Sequence, residues 1–146
     1  MSWNGKYHKK ERSMAEKHSY LSQEWCTEAE KRLRAELTPE KMKFLSSSVA
    51  YVYVDCPDGK DKYLFFKCEN GEITEVSVGH GTPPDAEFRI TGPYELFARL
   101  TKGEIKSQRA LMSGKLKLKG SMVKALKLAS VADRISKVLG TVPAVY

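Results

Sequence analysis

The chain has 146 residues, 41% of them apolar, which suits one domain with a single core, and no window approaches the roughly 18 uninterrupted apolar residues of a membrane-spanning helix. The N-terminal stretch lacks the apolar run of a secretory signal, and Cys26, Cys56 and Cys68 are too widely spaced for a zinc site or a disulfide frame, so the expectation is a soluble, cytoplasmic protein with reduced thiols. The net charge of +7 is concentrated in residues 102–146, where ten Lys/Arg stand against two acids, and such asymmetry suggests an anionic partner, nucleic acid or a phospholipid surface, unless it only keeps the protein in solution.

In chain order, residues 1–20 read as a basic arm and residues 21–146 as one domain. Trp25, Cys26, Ala29, Leu33 and Leu37 recur at three- and four-residue spacing, the apolar stripe of a helix from Ser22 to Leu37. Thr38 and Pro39 then supply an N-cap and a first-turn proline for a short second helix through Phe44 and Leu45. "SSVAYVYVDC" and "KYLFFKC", joined by "PDGKD", form a hairpin of two strands that are apolar on both faces. Asn70-Gly71 turns the chain into a third strand, "ITEVSVG", and "AEFRIT" follows as a fourth after the loop "GHGTPP". Gly92-Pro93 opens a helix through Leu96, Phe97 and Leu100 that Gly103 closes, and a turn spans Gln108 to Ser113.

"KLKLKG" alternates Leu116 and Leu118 with Lys115, Lys117 and Lys119, a strand with one apolar and one cationic face, whose lysines also guard a sheet edge against further pairing. Gly120-Ser121 caps a last helix over residues 122–139, stopped by Gly140. Its Met122, Ala125, Leu126, Ala129 and Ala132 make one apolar stripe; Leu128, Val131, Ile135, Val138 and Leu139 make a second. Deep packing, a subunit interface or a cavity wall would each use two stripes. The order of elements gives an α+β domain with a five-stranded, largely antiparallel sheet covered by helices.

Chemistry-bearing motifs are scarce. Of His8, His18 and His80, only His80 lies in a loop near the domain's centre, flanked by glycines as an exposed turn residue is, and no metalloprotease, nucleophile-elbow, phosphate-loop or dinucleotide motif occurs. The expectation is no enzyme, no cofactor and no metal. The basic C-terminal third has no aromatic before Tyr146 on which a base could stack, so its lysines, interleaved with leucine, methionine and alanine, match a membrane surface at least as well as nucleic acid.

The run "SQRALMSGKLKLKGSMVKALKL" resembles the sterol carrier protein type 2 family, with Gly114-Lys115-Leu116, Lys117, Lys119-Gly120, Met122, Ala125 and Lys127-Leu128 at the family's positions. "AEFRITGPYELFARLTKGEI" resembles the segment upstream, and the likeness extends over about residues 25–130. The resemblance implies an apolar tunnel between one sheet and its helices that carries fatty acids, acyl-CoA, sterols or other lipids unchanged. It places Phe66, Phe88 and Ile90 from the strands on the tunnel, with Phe65 replacing Phe66 after a one-residue slip. From the helix after the fourth strand it adds Phe97 and Leu100, then Leu111, Met112 and the family glutamine Gln108. Leu118, Met122, Leu126 and Ala129 complete the expected wall, and Lys115, Lys117, Lys119, Lys124 and Lys127 are the expected contacts with an anionic membrane surface. Leu111, Met112 and Ser113 depart from the two phenylalanines and glutamine that often stand there, and Ala144-Val145-Tyr146 is not the small-basic-leucine tripeptide of peroxisomal members. The partner expected is thus a hydrophobic small molecule bound by a monomer or dimer. Alternatives are an interaction module of the same fold that assists an enzyme, and a nucleic-acid-binding domain.

Overall fold

The computed structural model of the protein describes residues 17–146. Helix α1 (Gln23–Glu36) begins where Ser22 Oγ accepts a hydrogen bond from the Trp25 amide at 3.2 Å, and its buried stripe is Trp25, Cys26, Ala29 and Leu33. Arg32–Glu28 and Arg34–Glu30 pairs, at 2.7 and 2.6 Å, line its outer face at the i,i+4 spacing. Ahead of it β1 (His18–Ser19) pairs in parallel with β7 (Ala144–Val145), and Tyr20 and Leu21 are buried. Among the described residues, His18 to Tyr20 of the segment expected to be an arm belong to the packed structure, while residues 1–16 of that segment lie outside the described residues.

The expected short helix at Pro39–Leu45 is a single turn. Thr38 does cap it, its Oγ1 accepting from the Lys41 amide at 3.3 Å, but Lys43 and Phe44 take left-handed φ values of 54° and 53° and end it at once. Strands β2 (Ser47–Val54), β3 (Lys62–Glu69) and β4 (Glu72–His80) follow as an antiparallel meander, with Asn70 and Gly71 at φ 50° and 83° in the β3–β4 turn. Strand β5 (Phe88–Pro93) crosses to the far side of β2 and pairs with it in parallel, and β6 (Lys117–Lys119) pairs antiparallel with β5. The five-stranded order is β4-β3-β2-β5-β6, mostly antiparallel, with β6 at an edge.

Helix α2 (Tyr94–Thr101) leaves β5 at Pro93, and residues 107–112, expected as a turn, form the short helix α3 (Ser107–Met112). The single helix expected over 122–139 is two, α4 (Met122–Lys127) and α5 (Ala129–Leu139), separated at Leu128, whose φ of −93° and ψ of 1° take it out of the helical region. No helix among the described residues is long and apolar enough to cross a membrane. Period-two alternation sends Val49, Tyr51, Tyr53, Leu64, Phe66, Phe88 and Ile90 to the face that meets the helices, where they join one core with Trp25, Leu33, Phe97 and Val131. Phe65 pairs with Ala50 on the opposite face, so the register that points Phe66 inward is the one adopted.

Candidate functional site

Between the inward face of the sheet and the helices lies a cavity of about 100 Å³. The sheet contributes Val49 and Tyr51 of β2, Phe66 of β3, Ile73 of β4, and Phe88 and Ile90 of β5. The helices close it with Phe97 and Leu100 of α2, Leu111 of α3, Ala125 of α4, and Ala129, Val131, Ala132 and Ile135 of α5. Met42 and Leu45 from the turn before β2, Leu116 before β6 and Leu128 at the helix break complete the apolar lining.

Of the residues expected on the wall, Phe66, Phe88, Ile90, Phe97, Leu100, Leu111 and Ala129 stand there. Leu118 and Leu126 are half-buried against the core but off the cavity, and Leu116 occupies the place expected of its neighbour two residues on. Gln108 is exposed, Met112 is 69% exposed and Met122 41% exposed, so none of the three reaches the cavity. The physical reason is helix phase: α3 and α4 are six residues each, and which side such a helix buries is decided by its neighbours. Leu111 and Ala125 are the residues turned inward. Met42 and Leu45 had no sequence signal, because a non-helical turn brings them in. Val49 and Tyr51 could have been found by extending the Phe66 face across the hairpin, and the spacing of Ala125, Leu128, Ala132 and Ile135 is a legible helical stripe.

The five lysines Lys115, Lys117, Lys119, Lys124 and Lys127 are all exposed. Lys124 pairs with Glu87 just before β5, and the same carboxylate accepts from Ser47 Oγ at 2.6 Å, which ties α4 to the start of β2 and β5. Lys124, then Ser47, hold the Glu87 carboxyl below its ordinary range. Beside these lysines α4 exposes Met122 and Val123, the latter 66% exposed. At the entry to α4, Gly120 adopts φ 133°, and a side chain there would meet Phe88 at 2.9 Å and the Glu87 carbonyl at 3.0 Å, so glycine is required for α4 to lie against β5.

Polar groups line the cavity at two places, Ser47, Ser48 and Lys67 from β2 and β3 and a second set around Tyr51 and Ser107. Tyr51 and Ser107 line the main cavity and a smaller adjoining chamber of about 30 Å³ that also meets Tyr53, Thr101 and Ser136. The Ser107 amide donates to Asp133 Oδ1 at 2.8 Å. Burial, with a smaller contribution from Asp133, pushes the Tyr51 hydroxyl up to about 12. All three cysteines are reduced and buried, and burial pushes Cys26 up to about 11. Among the described residues no group of three or more His, Cys, Asp or Glu side chains is placed to hold a metal ion.

The sequence pattern of the SCP-2 sterol transfer family matches residues 27–133. Hydroxysteroid dehydrogenase-like protein 2 of Rattus norvegicus is 35% identical over 80 residues, 54% of this chain but only 14% of that protein. A fatty acid-binding protein of Yarrowia lipolytica is 34% identical over 58 residues, 39% of this chain and 45% of that one. The chain therefore matches less than half the length of either relative. A crystal structure of sterol carrier protein 2 superposes with a TM-score of 0.74 at 20% identity, covering 85% of this chain and 99% of the other, which establishes a shared fold.

Proposed function

The chain belongs to the SCP-2 sterol transfer family, and from that premise we propose that it binds a lipid in the cavity between sheet and helices and carries it without chemical change. The observation that carries this reading is the cavity itself, walled by apolar side chains from four strands and four helices around a void the core does not fill. A protein interior ordinarily packs without such voids. Enclosing about 15 methylenes at roughly 0.8 kcal/mol each yields about 12 kcal/mol gross, enough to offset the cost of ordering a chain without a dedicated polar contact at every position. The fatty acid-binding relative from Yarrowia lipolytica points to the same ligand class.

The void of about 100 Å³ is smaller than the roughly 150 Å³ apolar cavity that accommodates benzene, so a long-chain lipid enters only as the wall moves outward. The wall that yields most readily is α4: it is six residues long, buries only Ala125, and is bounded by Gly120 and the break at Leu128. Its tie to the sheet is the Lys124–Glu87 pair, both partners more than a third exposed, a class of contact worth about 0–1 kcal/mol. Met122 and Val123, exposed and close in sequence to the exposed Lys117, Lys119, Lys124 and Lys127, make the same helix the face that meets an anionic bilayer during loading and release.

Native mass spectrometry of the purified protein, followed by extraction and analysis of what is released, tests the reading. A long-chain lipid bound near one to one is expected, and Ala132→Trp, which fills the cavity from α5, should abolish it while the protein stays folded. A protein that purifies empty and takes up neither labelled acyl chains nor a labelled sterol would overturn lipid carriage in favour of an interaction module of the same fold.

A further inference from the structure

Polar side chains line the cavity at two places, Ser47, Ser48 and Lys67 from β2 and β3, and Ser107 with Tyr51 at the α3–α5 end. Tyr51 sits at the centre of β2, its ring edge-on to Phe66 at 6.1 Å and to Phe97 at 5.6 Å, so the ring is fixed in the wall. It is partly buried and lines both adjoining chambers. Tyr20, Tyr53 and Thr101 are already used here: Tyr20 bonds the Tyr53 hydroxyl at 2.9 Å and Thr101 Oγ1 at 2.8 Å, and Thr101 also donates to the Phe97 carbonyl at 3.0 Å, whereas the small hydroxyls of Ser107 and Ser136 line the chamber beside Tyr51. No side-chain hydrogen bond among the described residues involves the Tyr51 hydroxyl, and neither cause that raises its pKa, burial and Asp133, is a hydrogen bond. A phenol in a protein wall ordinarily finds a partner for its hydroxyl. A phenol that lines the cavity and lacks a protein partner is a place for a ligand atom.

The charges around that oxygen say which ligand atom. No Lys or Arg lines the inner chamber, and the charged group that acts on Tyr51 is the Asp133 carboxylate of α5. Lys67, the one cation on the main cavity's rim, pairs across the sheet with Ser48, three residues along β2 from Tyr51 and so about 10 Å away. An ionised carboxylate or phosphate placed beside Tyr51 would be buried without a counter-charge and next to a like one, an arrangement that proteins avoid. A neutral hydroxyl or carbonyl can use the phenol as donor or acceptor at no such cost.

We propose that Tyr51 anchors the polar group of the bound lipid by a hydrogen bond, and that this group is neutral, as in a fatty alcohol, a glyceride or a sterol, and not the ionised carboxylate of a fatty acid. The lipid's polar end then lies innermost, at the α3–α5 end, and its apolar body extends toward α4. This rests on the carrier reading above.

The test compares dodecanol and dodecanoate, equal in chain length, as displacers of a neutral fluorophore, N-phenyl-1-naphthylamine, at pH 8 on the wild type and on Tyr51→Phe, which keeps the ring. On the wild type, dodecanol should bind at least tenfold more tightly than dodecanoate. With the fluorophore's own affinity measured separately on each protein to convert displacement into affinity, Tyr51→Phe should weaken dodecanol about five- to tenfold, the range of one hydrogen bond. Equal affinity for the two displacers overturns neutrality, and an unchanged dodecanol affinity in Tyr51→Phe overturns the anchor, in both cases with lipid binding intact. A wild type that binds neither amphiphile nor fluorophore overturns the carrier reading and this proposal with it.

Discussion

Tyr20 joins parts of the chain that are far apart in sequence. Its hydroxyl bridges Tyr53 of β2 and Thr101 of α2, while its ring meets Trp25 at 4.9 Å and Tyr146 at 4.7 Å. Tyr20→Phe should keep the rings packed but remove the shared oxygen, costing about 1–2 kcal/mol as a lower denaturation midpoint at unchanged slope. No loss would show that water replaces the bridge. The buried Trp25 Nε1 has no partner among the described residues, and the ring is held by its packing. Burial also fixes a pH dependence. Tyr20, Tyr51 and Tyr53 are all raised, Tyr51 to about 12, whereas tyrosines in the unfolded chain ionise near 10. Above about pH 10 the unfolded state has released protons that the folded state keeps; stability is therefore full below that pH and falls as pH rises toward 12. Denaturant midpoints measured from pH 9 to 12 should show this fall, and Tyr51→Phe should make it shallower. A profile identical to the wild type's would contradict the burial of that phenol.

At the level of elements, the turn that joins β3 to β4 also holds the segment before β2. Gly71 has φ 83°, its amide donates to the Leu45 carbonyl at 2.9 Å, and a side chain there would meet Pro39 at 2.7 Å. Gly71→Ala should therefore cost about 2 kcal/mol or more in thermal or chemical unfolding, well beyond the loss at an open turn position such as Gly59. This contact explains where sequence reading succeeded and where it stopped. Asn70-Gly71 is a local turn signal and was legible; the left-handed Lys43 and Phe44 that stop the turn after Thr38 are held by that distant glycine and were not. The stripe of α1 and the alternation in β2, β3 and β5 set the inward face, hence Phe66, Phe88 and Ile90 on the wall. The break at Leu128 has no glycine or proline to announce it, and the two-turn helices α3 and α4 take their phase from what they pack against, so Gln108, Met112 and Met122 came out exposed. Parallel pairing of β5 with β2 is likewise a long-range fact that no local pattern encodes.

For the whole molecule, the charge asymmetry becomes an oriented surface. Lysines 117 and 119 lie on the edge strand β6, where they bar further strand pairing, and Lys124 stands on the neighbouring α4. If that face meets a bilayer, replacing Lys117, Lys119 and Lys124 by glutamine should weaken retention on anionic vesicles about 100-fold, at roughly 1 kcal/mol per lysine, with added salt mimicking the loss and neutral vesicles unaffected. Retention that ignores both charge and salt would leave edge protection as their role. The parallel pair of β1 and β7 sets a different property, since it brings His18 beside Ala144. With these positions adjacent and the β2–β3 turn open around Gly59, the order of the chain is separable from its fold. A circular permutant that links residue 146 to residue 17 and begins at Gly59 should reach the same structure, with the same thermal midpoint to within a few degrees.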